Sequence, residues 1–477
     1  MSEIKEECGV FGIFDDAEAV KKTYFGLHSL QHRGQESAGI ASSDGEYIKC
    51  YTGMGQVGRV FRPSKGFLEK LENPTAIGHL RYSTTGSSNP LNAQPFLSEY
   101  SQGQIAVAHN GNLINANLLR DEYEAYGHIF KSSNDTEVVV HLLAKPTHVS
   151  KPDPLAHVLN HLHGAFSILF LFPDRIEAAR DPFGFRPLCL GKTKAGKYCV
   201  ASETCAFDAI EAEYIRDVEP GEIVTIDKTG LSSRFFVEPG TVTPGHCIFE
   251  HVYFAKQSSR IFGDSVHEFR KQSGRVLAQE HPVDADIVTP VPDSGTSAAV
   301  GYASESGIPF DMGFVRSHYV GRTFLAPSQE LRDLAVKMKL AVVKEAVAGK
   351  RVVVVDDSVV RGTTTKGKIN SLREAGAKEI HMRVACPPLV SPCYFGVDFP
   401  TKEELIANNR TLEEIRDFLK VDSLGYISLD GLLSCASLPG DHYCTACWSG
   451  DYKMPVNTAF NKLSLERHQM QLFDNID

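Results

Sequence analysis

The sequence predicts a chain of two domains, one α+β and one α/β, and three observations carry that expectation. Its 477 residues exceed what one hydrophobic core ordinarily serves. The run Glu238-Pro-Gly-Thr-Val-Thr-Pro-Gly245 holds two Pro-Gly pairs, which neither a helix interior nor a central strand accommodates, so it reads as a boundary. Before that run the apolar segments are short and strand-like, whereas after it strands and helices alternate in longer units, as a parallel sheet requires.

Taken in order, Val10–Phe14 is a five-residue run that reads as a buried strand, opening directly behind Cys8-Gly9. Ile105–His109, Phe166–Phe172, Tyr198–Ala201 and Glu222–Ile226 follow as further strands, interrupted by a helical run over Thr136–Ala144. Past the boundary, Asp286–Val291 and Arg351–Val355 lack polar alternation and read as parallel strands covered on both faces. Thr401-Lys-Glu-Glu404 and Thr411-Leu-Glu-Glu414 each place a threonine three residues before a glutamate, the capping-box pattern that starts a short helix. From Ser464 the tail is polar.

Composition narrows the function. Apolar content of 42% with 23% charged residues is that of a globular enzyme. The net charge of −10 argues against a nucleic-acid partner, which calls for a basic face. No window approaches 18 consecutive apolar residues, and MSEIKEE lacks the apolar core of a secretory signal, so neither membrane nor export is expected and the chain is read as cytoplasmic. In that compartment eleven cysteines point to metal ligands, catalysis or core packing before disulfides. The 18 histidines are assigned no ligand role, none standing at H-x-x-x-H spacing in a metal-like context.

The stretch VVVVDDSVVRGTTT, residues 352–365, is the most specific in the second half. Four valines form a strand, Asp356-Asp357 end it, and a hydroxyl-rich turn opens a helix whose N–H groups and Thr363, Thr364 and Thr365 hydroxyls suit a phosphate. The two carboxylates would repel a phosphate but suit sugar hydroxyls or Mg²⁺. No Walker loop is present. This stretch resembles the 5-phosphoribosyl 1-pyrophosphate (PRPP) signature of type I phosphoribosyltransferases. The resemblance implies a PRPP site made by Asp356, Asp357, Ser358, Arg361, Gly362 and the three threonines. It also implies a pyrophosphate loop over Val291–Thr296, with Ser294 joining Asp356 and Asp357 near Mg²⁺. A catalytic flap is expected over Tyr319–Lys339, with Arg322, Arg332 and Lys339 against the pyrophosphate.

A thiol at the start of a mature chain has its own α-amine beside it, a base with a pKa of about 7.7–8.0. Cys8 would gain one by losing residues 1–7. Leu30-Gln-His-Arg-Gly-Gln-Glu36, His79-Leu-Arg-Tyr-Ser-Thr84 and His109-Asn-Gly-Asn112, in this order behind Cys8, resemble the N-terminal-nucleophile (class II) glutamine amidotransferases. That resemblance implies an αββα sandwich, Cys8 as nucleophile and an oxyanion hole from Asn110 and the Gly111 N–H. Arg81 and Asp135 would then bind the glutamine carboxylate and amine. A zwitterion needs one cation and one anion, and acyl transfer needs oxyanion donors. The pairing of the two halves resembles the amidophosphoribosyltransferases. It implies that ammonia from glutamine displaces pyrophosphate from PRPP, in a homo-oligomer, a tetramer by family, inhibited by purine nucleotides. A non-catalytic PRPP or nucleotide sensor, and a glutaminase serving another phosphoribosyl acceptor, are the alternative readings. The expected division is a propeptide at 1–7, an amidotransferase domain at 8–238, a transferase domain at 246–400 and a C-terminal helical segment at 401–477.

Cys444-Thr-Ala-Cys447 alone fits half a zinc site, a redox pair or neither. The family contains a subgroup with a [4Fe–4S] cluster, which implies that this pair is joined by two distant cysteines. Cys247 fits one. Cys386 and Cys393 compete for the other, and the family's Pro-Cys-x-x-Gly context favours Cys393. Cys50, Cys189, Cys199, Cys205 and Cys435 are expected to be core or surface residues.

Overall fold

The computed structural model describes residues 8–82, 89–317, 340–399 and 401–456. Strand Gly9–Ile13 lies inside a seven-stranded antiparallel sheet, between Tyr198–Ala201 and Thr75–Arg81. A second, six-stranded antiparallel sheet is built around Gly103–Leu113 and Gly164–Phe172. The period of two explains how the sheets stack. Val10 faces Ala106, Ala108 and Leu169 of the other sheet, while Phe11 and Ile13 face the opposite way, onto Ala19, Val20 and Leu27 of helix Ala19–Ser29. Ile105 and Val107 likewise turn outward onto Val138, Val139 and Leu142 of helix Thr136–Ala144. The result is four layers, helix–sheet–sheet–helix, as the amidotransferase resemblance implies.

The second half is organised by a parallel sheet in the order Ile287–Pro290, Arg351–Asp356, Glu379–Val384, Ser423–Tyr426. The four valines 352–355 are completely buried, which is why the run carries no polar alternation. Helices Val266–Glu280 and Thr296–Ser306 pack together so closely that a Cβ at Gly274 or Gly301 would lie 1.9 Å from a carbonyl oxygen of the other helix. Both capping boxes form, at Thr401/Glu404 and Thr411/Glu414.

One expectation needs correcting. The segment after residue 401 is not solely helical: Ser423–Tyr426 pairs with Glu379–Val384 and completes the edge of the parallel sheet. Without it the Glu379–Val384 backbone would present an unpaired edge. The propeptide, the flap residues Arg322, Arg332 and Lys339, and the polar tail lie outside the described residues. No helix among the described residues is long and apolar enough to cross a membrane.

Candidate active sites

Cys8 lies at the mouth of the central strand, one residue before the Gly9–Leu80 pairing. Its Sγ lies 3.5 Å from the Tyr82 carbonyl oxygen, and its own carbonyl accepts a hydrogen bond from Arg33 Nε at 3.0 Å. Burial pushes the thiol up to about 11, only partly countered by the Tyr82 contact and by Arg81. At pH 7 such a thiol is about one part in 10⁴ thiolate. With residues 1–7 attached, the Cys8 nitrogen is an amide and supplies no base.

Arg81 and Asp135 both act on this thiol electrostatically, in opposite senses, so a cation and an anion flank it. Arg81 is 2% exposed and donates to Glu36 Oε1 at 2.6 Å, so a ligand carboxylate at Arg81 would share it with Glu36. Asp135 accepts from the Leu113 N–H at 2.9 Å. Burial alone would raise its pKa, yet His109 and this hydrogen bond hold it below the usual range. His79, kept neutral by burial with a pKa of about 3, bonds through Nε2 to the His109 carbonyl at 2.9 Å, tying one sheet to the other beside the site.

Asn110 is completely buried, and among the described residues neither its Nδ2 nor its Oδ1 has a hydrogen-bond partner. A buried polar group left unpaired costs about 1–3 kcal/mol, so a ligand that paired the Asn110 amide would be favoured. The next residue, Gly111, has φ of +152°, and a Cβ there would meet the Ala165 carbonyl oxygen at 2.0 Å, so only glycine fits. The loop 391–396 backs this strand. Asn112 Nδ2 donates to the Tyr394 carbonyl at 2.8 Å, and a Cβ on Gly396 would lie 3.3 Å from the Gly111 carbonyl carbon.

The second site is at the carboxyl ends of the parallel strands, where ligands of open α/β sheets bind. Asp356 and Asp357 close strand Arg351–Asp356, and helix Thr363–Glu374 begins after Gly362, whose φ is +73°. Burial pushes the Asp356 carboxyl up to about 7 despite Lys368 Nζ at 3.2 Å from Oδ2. Ser294 Oγ donates to Asp357 Oδ2, bringing the Val291–Thr296 loop against the acidic pair, and Ser358 Oγ donates to Asp357 Oδ1 at 2.5 Å. This approach requires Gly295, where a Cβ would lie 2.6 Å from the Val355 carbonyl oxygen. Two carboxylates and a hydroxyl form an oxygen-only donor set that fits Mg²⁺. Thr365 is buried while Thr363 and Thr364 open the helix. Arg361 points elsewhere, donating to Glu404 Oε1 at 2.7 Å.

Five of the cysteines come together at the junction of the halves. Cys247 and Cys444 are direct partners in a short parallel pairing, His246–Cys247 against Tyr443–Cys444. The Cys447 thiol is raised well above its ordinary value by burial, with Cys247, Cys444, Cys393 and Cys386 adding to the shift in that order. Cys386 is completely buried, whereas Cys393 is partly exposed and accepts from the Phe395 N–H at 3.3 Å. One zinc ion would gather its sulfurs to about 3.8 Å apart, given Zn–S bonds of about 2.3 Å. Among the described residues, two sets of His, Cys, Asp or Glu donor atoms gather within 4.8 Å, and neither contains any of these five cysteines. Four thiolates brought together from three segments of the chain suit a [4Fe–4S] cluster as well as a zinc ion.

Sequence reasoning missed the residues that join the halves. Arg33 donates to Glu203 Oε1 at 2.6 Å and to Glu250 Oε1 at 2.7 Å, and Arg186 Nη1 lies 3.4 Å from the same Glu250 oxygen. All four side chains are at most 1% exposed. Glu203 also accepts from the Lys256 N–H and Ser259 Oγ, and Arg186 Nε donates to the Phe395 carbonyl at 3.0 Å. Arg33 lies inside the quoted 30–36 stretch, but its partners are 170 and 217 positions away, and no local pattern announces them.

Comparison with known proteins agrees with this geometry. Residues 79–209 match the family model described as a glutamine amidotransferase domain. The chain is 51% identical to the chloroplastic amidophosphoribosyltransferase of Glycine max, over 94% of this chain and 78% of that one. It is 47% identical to the Methanocaldococcus jannaschii amidophosphoribosyltransferase, over 94% and 98%. The chain belongs to the amidophosphoribosyltransferase family. Among solved structures, it is similar to the glutamine PRPP amidotransferase of B. subtilis complexed with ADP and GMP, with a TM-score of 0.89 and 44% identity over 95% of this chain and 99% of that one. A structure described as the allosteric regulatory enzyme of purine biosynthesis matches with a TM-score of 0.90 and 45% identity, over 95% and 97%.

Proposed function

We infer that the chain catalyses the family's reaction: glutamine, PRPP and water give 5-phosphoribosylamine, glutamate and pyrophosphate, the first committed step of purine synthesis. Membership over nearly the whole chain supports the reaction. The observation that carries the glutaminase half is the buried Asn110 amide beside Gly111, unpartnered among the described residues. Once residues 1–7 are removed, the Cys8 α-amine takes the thiol proton and Sγ attacks the glutamine amide carbon. The Asn110 amide and Gly111 N–H receive the oxyanion. Arg81 and Asp135 hold the amino-acid end. The amine returns the proton to the departing ammonia, and water cleaves the thioester to glutamate.

In residues 246–400, joined by the strand from the C-terminal segment, the Thr363–Thr365 helix start holds the 5′-phosphate and Asp356 and Asp357 hold the ribose hydroxyls. Asp356, Asp357 and Ser294 would also hold Mg²⁺, which when bound offsets pyrophosphate charge. Ammonia attacks ribose C1 and pyrophosphate leaves. Cys247, Cys393, Cys444 and Cys447 would hold a [4Fe–4S] cluster with a structural role, joining segments near residues 247, 393 and 447. Inhibition by purine nucleotides agrees with the relative solved with ADP and GMP, and a homotetramer is the assembly the family implies. Incubating pure protein with glutamine, PRPP and Mg²⁺ should release glutamate and pyrophosphate in equal amounts. Tight PRPP binding without turnover would favour the sensor instead.

A further inference from the structure

Apart from the residues of both sites, the outer helical layer carries three histidines whose ring nitrogens converge. His148 belongs to helix Pro146–Val149, and His157 to helix Pro154–Leu159, with His161 one turn further on. One donor nitrogen from each lies within 4.8 Å of the other two. The rings are mutually close, with centroids 4.7–5.2 Å apart. We propose that His148, His157 and His161 form a binding site for a divalent transition-metal ion, zinc in the cell, with water as the fourth ligand.

The outer partners of the rings are already arranged for this. His148 Nδ1 donates to the Leu142 carbonyl at 2.9 Å, and His161 Nδ1 donates to the His157 carbonyl at 2.8 Å. Each bond fixes the proton on Nδ1 and leaves the Nε2 lone pair available, the usual second contact of a metal-binding imidazole. His157 and His161 stand four apart, an H-x-x-x-H pair assigned no ligand role from sequence alone, and this spacing brings two side chains to one helix face. The Lys145 ammonium is engaged away from the rings, 3.6 Å from Glu122 and over Tyr123 and Tyr126.

Tetrahedral zinc with Zn–N of about 2.0–2.1 Å needs its nitrogens about 3.3 Å apart. Closing from the present spacing takes a swing of roughly an ångström, which the half-buried His157 and exposed His161 can make around the buried His148. An all-imidazole set with an open position suits zinc, nickel or copper and not Mg²⁺. The site would clip together the two short helices that precede strand Gly164–Phe172, the strand paired with Asn110 and Gly111. Its role is therefore structural.

Full-length enzyme and its His157→Ala/His161→Ala variant should be titrated side by side with Co²⁺ and Zn²⁺, so that cysteine sites cancel between them. The wild type should take up one more equivalent than the variant, with tetrahedral cobalt bands that lack thiolate charge transfer, and the variant should lose at least 100-fold in affinity for that equivalent. Zinc should raise the melting temperature of the wild type alone, while metal-free stability and glutamine-dependent turnover match. As a check independent of substitution, zinc should shield His157 and His161 from diethylpyrocarbonate, read by peptide mass spectrometry. Equal metal uptake by both proteins, or modification of these histidines unchanged by zinc at tens of micromolar, would overturn the proposal.

Discussion

Asn110→Ala should separate catalysis from stability in an unusual way. Removing one oxyanion donor costs about 10²–10³ in kcat, or about 2.7–4 kcal/mol. Glutamine-dependent turnover should fall by that factor, while synthesis from ammonia is unchanged because that route bypasses Cys8. Most buried truncations also destabilise, but here the wild-type amide is buried with both polar atoms unpaired among the described residues. Deleting it relieves about 1–3 kcal/mol of unmet desolvation. Against that stands a three-atom cavity of roughly 40 Å³, which at about 24 cal/mol per Å³ costs about 1 kcal/mol. The variant should therefore unfold at the same denaturant concentration as the wild type or later, by up to about 2 kcal/mol. Both activities and urea unfolding should be measured on protein whose Cys8 terminus is verified by mass spectrometry. A variant destabilised by more than about 1 kcal/mol with glutamine activity within tenfold of wild type would refute the reasoning, because the amide would then be a structural group.

Cys8→Ser should abolish glutamine use and keep ammonia use; an intact Met1 terminus on fully glutamine-active protein would disprove the requirement for a free Cys8 amine. Asp356→Asn with Asp357→Asn should impair both nitrogen routes yet spare basal glutamine hydrolysis, and wild-type ammonia-dependent rates in the double variant would remove this loop from the active site. Anaerobically purified protein should be brown, with about four iron and four sulfide per chain. Cys444→Ser or Cys393→Ser should bleach it while Cys386→Ser does not, and zinc without iron in the native protein would refute the cluster. Glu203 resists ionisation through burial, but His32 and Arg33 outweigh this and hold its pKa below the ordinary 4.5. The native state thus binds fewer protons than the unfolded one; the contribution is complete above pH 4.5 and disappears as the pH falls through the lower folded value. Unfolding free energies between pH 5 and pH 2 should drop for the wild type and be flatter for Glu203→Gln.

Much of the architecture was legible because its determinants are local. Helix Thr136–Ala144 and strand Arg351–Asp356 follow from their apolar runs, and both capping boxes from a threonine and a glutamate three residues apart. Helix Ala19–Ser29 was not read, since it carries β-branched and aromatic residues and Gly26. That glycine is needed because a Cβ there would lie 2.6 Å from the Phe11 ring, a tertiary requirement without a local signature. Strand Ser423–Tyr426 is only Ser-Leu-Gly-Tyr, and its neighbour supplies the hydrogen bonds that make it a strand. In the sites, residue types in order pointed to Cys8, Asn110 and Asp356, but not to Glu36 on Arg81 or Glu404 on Arg361, because a side chain's preferred partner is a property of the folded surface.

The buried Arg33–Glu203–Glu250–Arg186 set bears on whether the two catalytic halves are modules at all. Arg33, Glu203 and Arg186 belong to the first half and Glu250 to the second, so each half completes the other's charge balance out of contact with water. A protease cutting in the exposed Pro239–Thr241 stretch would nick the chain without releasing either piece, since separation would strip buried ions of their counter-charges. For the same reason, either half expressed alone would carry an interior face with no partner, and exchanging halves between relatives would succeed only where both sides of this set travel together.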